Sequence, residues 1–439
     1  MELISSKNIS YNKNDNIVGV NLNRIGKTKD IPEILFKFSS FNRPDNLNNM
    51  ALNIVVDNSF DFYEDDNIIF IDHHISEELN NCSYKSNSSM MVKNYDIIYK
   101  YLTTIFDNYN YDKVVIYMHS DIDGLCSGII CVKILKDVLY NKYDENYKDN
   151  LKLLEIIGNY GDIDIEAKTM LASYFESVED IDIFDKKIRQ YCKSLSRFFK
   201  ATRAVYYDLE NIDDDNYALQ TPEVYESLDN ILTEVNLSNK AIKYGVLDKI
   251  YIELYKFWEF QEINLKTTLL FFNTLGQNRI LNLIVNIYNK EIERLVNSYL
   301  NPDTPSFEMS IKFIKDKTNT VFKLLIIDTP FDCGRSVLWK YRSSLKYFIN
   351  INKENKWKFN IADWNSSKNL LDMSKNIVCY NKMLRKLSFD SDNSAAYDIA
   401  AEIFNGGGHP DLEEGRSLGS VVIDDEQLFL NSFIVLDIF

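Results

Sequence analysis

From Ile31 to about Tyr174 the chain repeats one pattern, a short apolar run that ends abruptly in a loop carrying acid or histidine. Leu52–Val56 runs into Asp57, Asn67–Ile71 into Asp72, Lys113–Met118 into His119, and Leu153–Ile157 into Gly161 and Asp162. Runs of this length and β-branched content, separated by helix-length stretches such as Met90–Phe106 and Leu125–Leu139, predict a parallel α/β sheet. Ligands of such sheets sit beyond the carboxyl ends of the strands. Each of the four polar loops follows a predicted strand, so they can converge on one crevice.

Past Phe175 the spacing turns helical, with Phe184, Ile188, Cys192, Leu195 and Phe199 in one series and Ile250, Leu254 and Phe257 in another. Asp213–Asp215, followed by Thr221 and Pro222, marks a loop between helices, and Asn301–Ser306, with two prolines, breaks the chain as a linker does. Beyond it Val321–Ile327, Asn376–Tyr380 and Leu384–Phe389 read as strands. Ser394–Phe404 reads as a helix, begun by Asn393 or Ser394 and stopped by Gly406. The expected organisation is an N-terminal segment (1–30), a parallel-sheet α/β domain (31–175), a helical connector (176–300) and a smaller C-terminal α/β domain (301–439). A length of 439 residues accommodates two or three such domains.

With 45% hydrophobic and 26% charged residues and no long apolar run, the composition is that of a soluble globular protein with no membrane association. The first residues carry no export signal, and the six cysteines are scattered without a Cys-x-x-Cys pair, so reduced thiols in a cytoplasm are expected. A formal net charge of -16 repels long polyanions unless basic residues are grouped locally, which favours short or small phosphate substrates.

The chain has four histidines, and all lie in three polar motifs: Ile71-Asp72-His73-His74, His119-Ser120-Asp121-Ile122-Asp123-Gly124 and Gly406-Gly407-Gly408-His409. Alternation in an extended loop points His119, Asp121 and Asp123 the same way, and Gly124 permits a tight turn into the following helix. Together with Asp57 and Asp162 at other predicted strand ends, the set is imidazole and carboxylate without thiolate, which favours Mn2+ or Mg2+ over structural zinc.

Three consecutive glycines in a chain that has only 14 suit a phosphate loop, whose backbone N–H groups approach an anion while His409 adds a donor. Between Cys333 and Lys358 the chain groups Arg335, Lys340, Arg342, Lys346, Lys353, Lys356 and Lys358 with Trp339, Tyr341, Tyr347, Phe348 and Trp357. That mixture fits a single-strand groove, where basic residues track phosphates and aromatic faces stack bases. It fits equally an amphipathic helix with aromatic residues in the core and lysines in water.

In combination these motifs resemble the DHH phosphoesterase family, in particular members with a DHH-associated C-terminal domain, such as RecJ-like exonucleases and oligonucleotide-degrading nanoRNases. Phe70–Ser76 is similar to the signature strand and loop, Asn87-Ser88-Ser89 to the serine pair that follows it, His119–Gly124 to the His-x-Asp-x-Asp-Gly element, and Ile156–Asp162 to the last acidic motif. Ile399–Pro410 resembles the helix and glycine loop of the associated domain, with Glu414-Gly415 in place of Ala-Gly. The resemblance covers both ends of the chain and leaves the helical middle unmatched.

The resemblance implies one metal on His119 and Asp121, a second on Asp123, His73 and Asp162, and Asp57 bridging them. It has His74 facing the substrate phosphate as a catalytic candidate, beside Asp72 of the same motif, and Gly406, Gly407, Gly408 and His409 binding the substrate; Arg335 of the basic stretch is a further substrate-binding candidate. It also implies a cleft between the two α/β domains as the working site. Two departures stand out. The His-x-Asp-x-Asp element follows the Asp-His-His element here, where the family has it first, so the motif order is permuted. Ser388-Phe389-Asp390-Ser391 also puts Asp390 where the associated domain carries an arginine, leaving Arg385 or Arg416 to replace it.

The expected activity is two-metal hydrolysis of nucleic-acid phosphodiesters from a strand end, with single-stranded DNA or RNA or short oligonucleotides as partners. Two alternatives stand beside it. One is a phosphodiesterase for cyclic dinucleotides or a phosphatase for 3′,5′-bisphosphate nucleotides. The other is an inactive scaffold in replication or repair.

Overall fold

The computed structural model describes residues 10–12, 17–20, 31–39, 47, 50–58, 67–73, 86–162, 178–202, 222–300, 309–313, 321–354, 376–412, 416–423 and 432–437. The chain divides into two compact units, residues 1–199 with 241–282 and residues 200–240 with 283–439. The helical stretch expected at 176–300 is thereby shared between them. It comprises α5 (Val178–Thr202), α6 (Pro222–Glu234), α7 (Asn239–Ile242), α8 (Asp248–Glu259), α9 (Leu265–Gly276) and α10 (Arg279–Leu300). The predicted helical series is buried at Ile188, Cys192, Leu195, Phe199, Ile250, Leu254 and Phe257. The linker at 301–306 and the acidic loop at 213–215 lie outside the described residues.

The first unit is built on a mixed six-stranded sheet. Its strands are β1 (Ser10–Asn12), β2 (Ile17–Val20), β3 (Glu33–Ser39), β4 (Leu52–Val56), β5 (Ile68–Ile71) and β6 (Lys113–His119), in the spatial order β1-β2-β5-β4-β6-β3. β5, β4, β6 and β3 run parallel, and the β1–β2 hairpin adds antiparallel to β5. Strands β4 and β5 are buried on both faces, which is why they read as unbroken apolar runs. Strand register gathers the polar residues. Val56 is aligned with both Ile71 and Met118, so Asp57, Asp72 and His119 emerge side by side at one sheet edge. The outer edge of β3 is covered by α8, whose Tyr251 hydroxyl accepts the Phe38 N–H at 3.2 Å.

Helices α1 (Asn87–Lys93), α2 (Tyr95–Asn108) and α3 (Ile122–Leu139) lie where helices were expected, with the first stretch split at Asn94. One sequence reading is overturned. Leu153–Ile157 is no strand but the middle of helix α4 (Tyr147–Asp162), which packs on α1 and α3. Leu151 and every residue from Leu153 to Tyr160 are buried, so the helix is covered nearly all round and loses the 3.6-residue periodicity that distinguishes a helix from a buried strand. Of the four polar segments, three follow strands and the fourth ends a helix.

The second unit carries a seven-stranded sheet. Its strands are β7 (Met309–Phe313), β8 (Val321–Ile327), β9 (Asn376–Asn381), β10 (Lys386–Ser391), β11 (Gly407–Leu412), β12 (Arg416–Val422) and β13 (Phe433–Asp437), in the order β11-β12-β10-β9-β8-β7-β13. Among its described strands only β8 and β9 pair in parallel. Helix α11 (Gly334–Glu354) packs on β9 and β10. On one face Phe322, Leu324, Val378, Leu387 and Phe389 form a core with α12 (Ala395–Asp398) and the wider turn that extends it to Ile403. β10 begins two residues later than predicted, because Lys382–Arg385 forms the turn from β9 and Arg385 takes a φ of 49°. Among the described residues no helix is long and apolar enough to cross a membrane.

Candidate metal centre

The row of strand ends in the first unit places Asp57 between two histidines. Its Oδ1 lies 3.4 Å from His73 Nδ1, and its Oδ2 lies 3.8 Å from His119 Nδ1. Asp121 completes one side, with Oδ2 2.8 Å from His119 Nδ1. Asp72 Oδ1 stands 3.6 Å from His73 Nδ1. Two donor groups result, Asp57 with His73 and Asp123, and Asp57 with His119 and Asp121; within each, the candidate ligand atoms lie within 4.8 Å of one another. Asp57 is common to both, and its φ of +58° is a left-handed conformation that L-residues seldom adopt.

Local structure aims the other candidate ligands. Asp121 is the N-cap of α3 and accepts the Gly124 N–H at 2.9 Å, which fixes the turn out of β6. Only glycine fits at 124, since a Cβ there would lie 2.4 Å from the His119 carbonyl oxygen. Asp123 is fully buried and held by the start of α1. Its Oδ2 accepts the Asn87 N–H at 2.6 Å, and its Oδ1 accepts the Ser88 N–H at 3.0 Å and the Ser88 hydroxyl at 2.5 Å. Behind this lies a buried polar layer: Ser86 caps α1 and donates to Asn159 at 2.5 Å, and Ser89 donates to Glu155 at 2.9 Å, both partners on α4. Gly158, between them on the same helix, lets α4 approach Ser88 and Asp123.

Asp57, Asp72 and Asp123, with both histidines, are buried, and burying carboxylates together without a cation is costly. Burial first, and then the Asp57 charge, push the Asp123 carboxyl up to about 7, against the opposing pull of His73 and the Ser88 hydroxyl. A hard divalent ion bound by oxygen and imidazole fits the donor set, and no thiolate stands in either group.

The structure thus brings together His119, Asp121, Asp123, Asp57 and His73, with Asp72 beside them. Asp162 is the last residue of α4, one helical turn beyond Gly158; its side chain and the whole of His74 lie outside the described residues. Sequence reading overlooked Ser39, Asn58, Ser86, Glu155 and Asn159, which back the candidate ligands. The run of small polar residues at Ser86–Ser89 was the available signal, since it has the form of a helix N-cap.

In the second unit the glycine run is not the expected loop. Asn405 ends the preceding helix in a left-handed conformation (φ 55°), and Gly407, Gly408 and His409 enter strand β11, paired with β12. A Cβ at Gly408 would lie 2.1 Å from the Leu418 carbonyl oxygen, and one at Gly406 2.6 Å from that of Ser420, whereas Gly407 faces open space. Close approach of neighbouring backbone therefore accounts for two of the three glycines. The His409 side chain is outside the described residues.

Arg335 lies in the first turn of α11. On that helix Tyr341 is buried while Trp339 is 47% exposed, and Lys340 stands 3.8 Å from Glu293. The described part of the basic stretch is thus largely an amphipathic helix, with Trp339 the exception. Asp390, where an arginine was expected, is fully buried; it accepts Arg416 Nη2 at 3.0 and 3.1 Å and lies 3.5 Å from Arg342 Nη1. Arg416 does stand at this position, as an ion-pair partner of the aspartate.

No protein-family model matches the chain, and no curated protein or solved structure matches it.

Proposed function

We propose that the first unit is a divalent-metal-dependent phosphoesterase that hydrolyses nucleic-acid phosphodiester bonds from a strand end, as RecJ-like exonucleases and oligonucleotide-degrading nucleases do. The observation that carries the reading is Asp57, whose two oxygens face different histidines and so belong to two donor groups at once. His119 and Asp121 would hold one ion, and His73 and Asp123 the other; Mn2+ fits both, and Mg2+ is the second choice. Bound there, the pair would supply Lewis acidity at a phosphoryl oxygen and an acidified water for attack on phosphorus.

The chain's own contribution is preorganisation. Asp123 is pinned by three hydrogen bonds and Asp121 by the α3 N-terminus, so neither carboxylate needs to reorient when substrate arrives. Asp72 stands 3.6 Å from His73 Nδ1 and adds negative charge beside it. His74, next in the chain, is assigned by resemblance to the substrate phosphate. The net charge of -16 favours short oligonucleotides over long single strands.

The test is a Mn2+-dependent hydrolysis panel containing 5′- and 3′-labelled dinucleotides, 20-mer DNA and RNA, cyclic dinucleotides and a 3′,5′-bisphosphate nucleotide, with Asp123→Ala as control. Turnover of the oligonucleotides that the control abolishes is the expected result. Turnover of the cyclic or bisphosphate nucleotides alone would replace the substrate class, and turnover of nothing would end the enzyme reading.

A further inference from the structure

We propose that Asn58 and Ser39 are positioning residues, a buried side-chain relay that holds Asp57 left-handed so that each of its carboxylate oxygens meets a different histidine. The inference rests on the metal reading of the first unit. It concerns two buried side chains that are members of neither donor group.

A left-handed aspartate persists only where its surroundings over-determine it, because the Cβ crowds the following carbonyl oxygen. Here the chain is gripped on both sides of the strained residue. Before it, the Asp57 N–H donates to the Ile71 carbonyl at 3.1 Å, continuing the ladder to β5. After it, the Asn58 side chain, 1% exposed, turns back across the sheet edge and donates from Nδ2 to Ser39 Oγ at 3.1 Å. Ser39, with no exposed surface, donates its own hydroxyl proton to the Met118 carbonyl at 3.5 Å. Ser39 ends β3 and is in register with His119 at the end of β6. The relay therefore joins the ends of β4, β3 and β6, while the backbone bond joins β4 to β5.

Asp57 is fixed at the midpoint, and the geometry of both donor groups depends on that. The His73 side belongs to β5 and the His119 side to β6, and a carboxylate midway between must be held from both. If the relay is cut, the turn at Asp57 is free to relax toward negative φ, which swings the carboxylate away from at least one histidine. Both donor groups lose their shared member together. Water cannot substitute for the missing amide without entering a site where Ser39 and Asn58 are closed to solvent.

A second buried asparagine at the opposite end of β4 separates this role from ordinary strand stitching. Asn53 Nδ2 donates to the Asn67 carbonyl at 2.9 Å and ties β4 to the start of β5, away from the ligands. Asn53→Ala should cost stability much as Asn58→Ala does, with no reason to alter the metal site.

The experiment titrates full-length wild type, Asn58→Ala, Ser39→Ala, their double variant and Asn53→Ala with Mn2+ by calorimetry. Electron paramagnetic resonance of the loaded proteins then reads out the exchange coupling between paired ions, and thermal melts report folding. The relay predicts that Asn58→Ala and Ser39→Ala each weaken Mn2+ binding by about 10–100-fold and abolish the coupled-pair signal. The double variant should be little worse than either single one, since both cut one connection. Asn53→Ala should keep two coupled ions despite a lowered melting temperature. Two coupled ions in Asn58→Ala at wild-type affinity would overturn the relay alone, as would equal loss in Asn53→Ala. A wild type that takes up no Mn2+ would overturn the relay together with the metal reading.

Discussion

Gly158→Ala gives a prediction in which local propensity and tertiary packing have opposite signs. In an ordinary helix interior this change stabilises by about 1 kcal/mol, because alanine restricts the unfolded chain and favours the helix. At position 158 the new Cβ would lie 1.9 Å from Ser88 Oγ, 2.6 Å from Asp123 Oδ1 and 2.9 Å from Ser88 Cβ. The Ser88 hydroxyl must leave, which breaks its 2.5 Å bond to a fully buried carboxylate, a loss of about 1–3 kcal/mol. Forcing a methyl between α4 and α1 adds about 1–3 kcal/mol of overpacking. Set against the propensity gain, the net is destabilisation by about 1–5 kcal/mol, and its centre of about 3 kcal/mol corresponds to a fall of roughly 6–12 °C in melting temperature for a unit of this size. Calorimetric melts of the metal-free protein measure it directly. Ser88→Ala in the same chain removes the clashing oxygen, so the double variant should recover part of the Gly158→Ala loss, a coupling that a double-mutant cycle isolates. A Gly158→Ala protein as stable as wild type, or more so, would refute the packing of α4 behind Asp123.

Three further predictions concern pH and the second unit. The Asp123 carboxyl, at about 7 in the folded protein, lies above its unfolded value near 3.9, so the metal-free folded state holds that proton more tightly. Stability from this group is present at low pH and lost as pH rises from about 4 to about 7. Mn2+ must displace the proton, so its apparent affinity should climb across pH 5–7 by up to about tenfold per unit and then level off; a flat profile would count against Asp123 as a ligand. Gly408→Ala should destabilise the second unit by about 2 kcal/mol or more through its clash with the Leu418 carbonyl, whereas Gly407→Ala, facing open space, should change the melting temperature little. Asp390→Ala removes the carboxylate that Arg416 donates to and leaves Arg342 with Asp392 alone, at a cost of about 3 kcal/mol, to be read from urea denaturation.

Much of the first unit was legible because parallel strands covered on both faces leave short apolar runs that end at the loops carrying acid and histidine. Leu52–Val56, Ile68–Ile71 and Lys113–His119 were found that way, and the candidate ligands Asp57, His73, His119, Asp121 and Asp123 came with them. Helix α4 was misread for the same reason, since burial all round erases the periodicity that separates helix from strand. Two further matters lay beyond pattern reading. The glycine run was read as a loop because glycine permits many conformations, and which one it takes is decided by the carbonyls of β12. Ser39 and Asn58 are single small polar residues whose partners lie 19 and 79 positions away, and only strand register brings them together.

The number of Mn2+ ions bound per chain by wild type and by Asp57→Ala bears most directly on the shared-carboxylate centre. Because Asp57 belongs to both donor groups, wild type should bind two ions and Asp57→Ala should lose both, with affinity down by well over tenfold, while its melt stays cooperative. Two ions retained in Asp57→Ala, or none bound by wild type, would contradict it.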